Sequence, residues 1–130
     1  MILLDTQALI WWVSDPSLLS TKAAQTIEQE RTESKLLVSS ISVWEIYMLV
    51  AKDRLKLNCD TDAWITNIEA ISCVQFVPIS NRIAGRSVML DNFHADPADR
   101  MIVATAREYG VVIVTKDQKI RDYKNVRSVW

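Results

Sequence analysis

Four carboxylates in this sequence occupy positions suited to chemistry: Asp5, Glu45, Asp99 and Asp117. Asp5 follows the short apolar run Ile2–Leu4, and Asp117 follows Val111–Val114 with two residues between. If those runs are parallel strands, both acids project from carboxyl ends, which is where the ligand crevice of an open α/β sheet lies. Glu45 falls in the first turn of the helix after the run at Leu36–Val38. Asp99 falls in the first turn of the helix before Val111, and that helix begins at the same end of the sheet. Converging carboxylates repel one another and raise their own pKa values, an arrangement tolerated when a hard divalent cation sits among them. Oxygen-only ligation favours Mg²⁺ or Mn²⁺. Such a site activates water and shields a phosphodiester, which suits in-line hydrolysis in a chain whose single histidine leaves little scope for imidazole catalysis.

The elements that must hold these acids are legible as an alternation. Ile2–Leu4, Leu36–Val38, Val74–Val77, Val111–Val114 and Val126–Val129 are short, β-branched and mostly without polar alternation, as expected of strands covered on both faces. Helical segments lie between them: Thr21–Arg31, Ser42–Ala51, Thr61–Ile71, Asn81–Met89 and Pro97–Tyr109. The expected fold class is therefore α/β, with a central parallel sheet of about five strands flanked by helices on both faces. Asp96-Pro97-Ala98-Asp99 reads as an Asx cap, a proline at the first helical position and an acid in the first turn, and Gly110 as the stop. Ser42 and Glu45 have the spacing of a capping box.

Composition bounds the rest. The chain has 130 residues, 49% hydrophobic and 24% charged, with only 2 glycines and 3 prolines, so one compact domain over residues 1–130 is expected. Cys59 and Cys73 have neither metal-ligand spacing nor the density of a disulfide framework, and a reducing cytoplasm is the expected setting. No leader or apolar run of membrane-spanning length is apparent, so membrane association is not expected. With 15 basic and 16 acidic residues the formal charge is −1, and any phosphate-bearing partner must be held by a local patch or by bound cations.

Four segments carry a resemblance: LLDTQALIWW at the start, SSISVWEI around Glu45, HADPADRMIVATA around Asp99 and VIVTKD ending at Asp117. In this order and spacing the chain resembles the PIN-domain ribonucleases, specifically the VapC-type toxins of prokaryotic toxin–antitoxin pairs. The resemblance implies a Rossmann-like sheet, an endoribonuclease dependent on Mg²⁺ or Mn²⁺, a VapB-type antitoxin, a homodimer, and contact with DNA only through the antitoxin. It carries over to Asp5, Glu45, Asp99 and Asp117 as the catalytic and metal-binding quartet, with Asp96 accessory. Many relatives have histidine where this chain has Gln7, which can hydrogen-bond a base or phosphate but cannot carry charge.

Each candidate has a plainer reading. Glu45 is explained by the capping box, Asp96 by the Asx cap, and Asp99 by the positive end of its helix, worth roughly 0.3–1 kcal/mol. Thr6 and Thr115 either orient a carboxylate or make ordinary strand-end hydrogen bonds. Arg100 either pairs with a carboxylate or meets RNA phosphate, and Lys116, beside Asp117, is a candidate substrate contact. His94 reads as a loop residue with a local hydrogen bond and stands outside the catalytic set. Of Trp11, Trp12 and Trp44, at least one is expected to line an antitoxin groove, because burying all three in so small a domain is demanding. Lys52, Arg54 and Lys56 read as a solvated helix end or an RNA-backbone contact. A receiver domain needs an aspartate where the second strand ends in Ser39-Ser40, and a haloacid dehalogenase phosphatase needs one at Gln7. The remaining alternative is a PIN-like module that binds RNA or protein without cutting, against which all four acids stand.

Overall fold

The computed structural model describes residues 1–130. Five strands, β1 (Ile2–Leu4), β2 (Leu36–Ser39), β3 (Val74–Val77), β4 (Val112–Val114) and β5 (Ser128–Val129), form one parallel sheet in the order β3-β2-β1-β4-β5. The chain winds outward from β1 to β3, then returns to place β4 on the other side of β1. The order therefore reverses between β1 and β4, where Leu4 is in register with Val114. Asp5 leaves β1 at that seam, its backbone N–H donating to the carbonyl of Val114 at 3.2 Å.

The central strands are apolar throughout because both faces are covered. Ile2, Leu4, Leu36, Val38 and Val114 face one core, against α1 (Thr6–Ser14), α2 (Thr21–Glu33) and α4 (Thr61–Glu69), with Ile46 of α3 (Ser40–Ala51). Leu3, Leu37 and Ile113 face the other, against α5 (Asn81–Val88), α6 (Pro97–Tyr109) and α7 (Gln118–Arg121). The alternation of Ile2, Leu3 and Leu4 between the two cores is the period-two pleat of a doubly covered strand. A short 3-10 turn at Pro16–Leu18 joins α1 to α2. No helix is long and apolar enough to cross a membrane.

Three differences from the sequence reading concern the site. The helix expected from Ser42 begins at Ser40, capped by Ser39, whose hydroxyl accepts from the N–H of Ile41 at 3.2 Å. The capping box is thus replaced: Ser42 is fully buried, and both it and Glu45 turn toward Thr6 instead of the helix end. Helix α1 had no expected counterpart, because ALIWWV is apolar without a 3.6-residue period. Helix α7, four residues long, is too short to show one. Gly110 does end α6 in the left-handed conformation, at φ 65°.

Candidate active site

The acids of the sequence are brought together by helix starts. Asp5 caps α1, its Oδ1 accepting from the N–H of Ala8 at 2.8 Å. Asp117 caps α7, accepting from Ile120 at 3.0 Å, and Asp96 caps α6, accepting from Ala98 at 2.9 Å. Asp99 is the third residue of α6, and Glu45 reaches in from α3. Asp5, Glu45, Asp99 and Asp117 all line one cleft of about 340 Å³, together with Thr6, Gln7, Trp11 and Lys116. Helix N-termini carry partial positive charge, which offsets part of the cost of gathering acids there.

Hydroxyls fix the carboxylates. Thr115, fully buried behind Asp5, donates to Asp5 Oδ2 and accepts from the N–H of Asp117 at 3.0 Å, tying the two seam acids through one side chain. Thr6 donates to Glu45 Oε1 at 2.5 Å and lies 2.8 Å from Ser42 Oγ. Since a threonine has one hydroxyl proton, the Ser42 hydroxyl is the donor in that second contact.

Burial shapes the electrostatics. Asp5, only 7% exposed, has its pKa pushed up to about 6, chiefly by loss of solvent. The hydrogen bonds from Thr115 and Ala8 oppose that rise, and the charges of Glu45 and Asp117 add to it. Asp99 is pushed up to about 7, by burial first and then by Asp96, Asp117, Glu45 and Asp5 in turn. Burial also raises Glu45, against the hydrogen bond from Thr6. Raised proton affinity in three neighbouring carboxylates, Asp5, Glu45 and Asp99, marks a place where a positive charge is favoured. An oxygen-rich donor set fits a hard divalent cation.

The other candidates separate. Gln7 is exposed on the cleft wall. The Lys116 ammonium sits 5.5 Å from the centre of the Trp11 ring, and Trp11 packs against Trp130 at 5.7 Å. Trp12 is half-buried against the first core, while Trp44 is 57% exposed on α3, so the three tryptophans do not share one role. Lys52, Arg54 and Lys56 are exposed and do not line the cleft. Arg100 corrects both of its expected roles. Its guanidinium donates to five backbone carbonyls, those of Ser87, Val88, Leu90, Phe93 and His94, at 2.8–3.1 Å, and holds the α5–α6 loop in place of a carboxylate or phosphate. His94, set aside on sequence, lies with its Nε2 3.1 Å from Asp99 Oδ2. Its ligand atom and those of Asp99 and Asp117 all lie within 4.8 Å of one another. The spacing of His94 from Asp99, five residues across a helix start, was the available signal.

Known proteins resemble this chain in sequence and in fold. The PIN domain profile matches residues 2–126. The chain is 36% identical over 132 residues to Ribonuclease VapC22 of Mycobacterium tuberculosis (strain ATCC 25618 / H37Rv), covering 99% of this chain and 98% of that protein. Among solved structures, the fold is similar to VapBC2 from Rickettsia felis bound to a promoter DNA fragment, with TM-score 0.73 and 16% identity over 100% of this chain and 99% of that one. It is also similar to a toxin–antitoxin complex from Klebsiella pneumoniae, with TM-score 0.68 and 23% identity over 100% and 97%. The chain belongs to the PIN-domain family, and a VapC ribonuclease is among the proteins it resembles.

Proposed function

We propose that this chain is the endoribonuclease toxin of a toxin–antitoxin pair, hydrolysing RNA with Mg²⁺ or Mn²⁺ held by Asp5, Glu45, Asp99 and Asp117. The observation that carries the reading is the convergence of these four acids, from four separate elements, on one cleft at the point where the strand order reverses. Likeness to a curated ribonuclease over nearly the whole chain supports it. When bound, the cation neutralises charge on the phosphate and makes water easier to deprotonate. Thr115 holds Asp5 and Thr6 holds Glu45, so neither carboxylate must be reoriented when substrate arrives. Glu45 Oε2, the oxygen that Thr6 does not hold, would take the proton of the attacking water as its oxygen bonds to phosphorus, while the phosphorus–oxygen bond to the leaving sugar breaks and the departing oxygen takes a proton from solvent. Gln7 and Lys116, on the cleft wall, contact substrate, and Asp96 supports the quartet electrostatically.

Residues 1–130 act as one domain in the cytoplasm, as a homodimer that a VapB-type antitoxin covers and links to DNA. Solved VapBC complexes of the same fold support the partner. Trp44, exposed on the helix that carries Glu45, is the first candidate for the antitoxin groove. The test is cleavage of RNA by the purified chain freed of partner. Cutting is expected with Mg²⁺ or Mn²⁺, to stop on chelation, and to be absent in Asp5→Asn and Asp117→Asn variants that remain folded. Undiminished cutting in excess EDTA overturns the metal mechanism. RNA retained without cleavage under every metal condition identifies a binding module instead.

A further inference from the structure

Beside the acidic quartet is a histidine with an unusual environment. The ring of His94 packs on Phe93 with centroids 4.4 Å apart, and Phe93 packs in turn on Tyr123 at 4.8 Å. The backbone is pinned as well, since Arg100 donates to the carbonyls of both Phe93 and His94. Nδ1 faces the backbone N–H of Asp96 at 3.4 Å, and an N–H can only donate. The neutral imidazole therefore carries its proton on Nε2. That nitrogen is shielded from solvent and its alignment leaves it without a complete hydrogen bond, although Asp99 Oδ2 lies 3.1 Å away. A shielded donor left unpaired is costly, and a small turn of the Asp99 carboxylate would pair it. Asp99 Oδ1 has no protein hydrogen-bond donor.

We propose that His94 is a positioning residue: its Nε2–H holds Asp99 Oδ2 and leaves the other oxygen of Asp99 for the cation. The inference rests on the acidic-site reading above. It gives Arg100 a purpose as well, because the guanidinium fixes the loop that carries the imidazole. A ligating carboxylate held by an outer hydrogen bond binds metal roughly 10–100-fold more tightly than one left loose.

Two measurements test this. Long-range ¹H–¹⁵N spectra of the metal-free chain are expected to show His94 as the Nε2–H tautomer, with that resonance shifting in Asp99→Asn. Calorimetric titration with Mn²⁺ is expected to show affinity about tenfold weaker in His94→Ala and within about twofold of the original in His94→Gln, whose amide N–H replaces Nε2–H. In the Asp99→Asn background, His94→Ala should change nothing further. If His94→Ala fails to fold, the tautomer and the glutamine variant still decide. An Nδ1–H tautomer, a nitrogen coupling to bound Mn²⁺, or unaltered Mn²⁺ affinity in a folded His94→Ala overturns the proposal. An Nε2–H tautomer in a chain that binds no Mn²⁺ removes the acidic cation site while leaving the His94–Asp99 link standing.

Discussion

At the scale of single residues, Asp5 and Asp99 show what gathering acids in one cleft costs. The pKa of Asp5 stands at about 6 in the folded chain against an ordinary 3.8, so the folded state holds that proton more tightly than the unfolded state does. Below about pH 4 both states are protonated and nothing is lost. As pH rises through 6 and then 7, Asp5 and Asp99 ionise in place and the metal-free fold loses stability, on the order of 3 kcal/mol from Asp5 alone. Metal-free Asp5→Asn and Asp99→Asn should therefore melt higher than the original at pH 8 and equally at pH 4, as thermal denaturation in EDTA would show. A fall in melting temperature at pH 8 would make these acids structural. That the four acids meet in one cleft was legible in the sequence because its pattern puts all of them at strand ends or helix starts at one end of the sheet, although each alone is equally explained by a cap or the helix dipole. The Thr115–Asp5 and Thr6–Glu45 bonds could be read only as alternatives, since a hydroxyl's partner depends on packing across 110 and 39 positions of sequence.

At the scale of elements, what the sequence revealed depended on periodicity. Strands at Leu36 and Val74 and the helix at Pro97 announce themselves by β-branched runs and a cap. Helix α1 does not, because its buried Ala8, Leu9 and Ile10 are followed by two half-buried tryptophans, and a helix apolar nearly all round shows no stripe. Ser42 misled for a related reason: a serine three residues before a glutamate fits a capping box, yet the long-range partner Thr6 outcompetes the local one. Arg100 was misread because its partners are carbonyls, which a sequence does not display. Replacing it with methionine removes five hydrogen bonds from the α5–α6 loop and should cost about 3 kcal/mol in urea denaturation. Gly110→Ala meets no neighbouring atom but must adopt φ 65°, so a loss of about 1 kcal/mol is expected from strain alone.

At the scale of the whole molecule, the near-neutral charge of −1 conceals an acidic cleft, which on the proposed mechanism takes up a cation before it meets a polyanion. Saturating Mn²⁺ should consequently raise the melting temperature of the original chain, by the equivalent of roughly 2.7 kcal/mol at one hundred times its Kd, and leave Asp5→Asn nearly unmoved. The exposed Trp44 gives a second whole-molecule test. Trp44→Ala should alter stability by less than about 0.5 kcal/mol and weaken antitoxin binding at least tenfold by surface plasmon resonance, whereas Trp11→Ala should lower stability too through its contact with Trp130. The seam between β1 and β4 also sets a schedule. The Thr115 hydroxyl that holds Asp5 is made 110 positions after it, and Asp117 follows two residues later. At 5–20 residues per second, a growing chain spends roughly 5 to 20 s with its first carboxylate waiting for its last. On the proposed reading the quartet lacks its last member until Asp117 has been added, so cutting of RNA by a growing chain is expected only after that point.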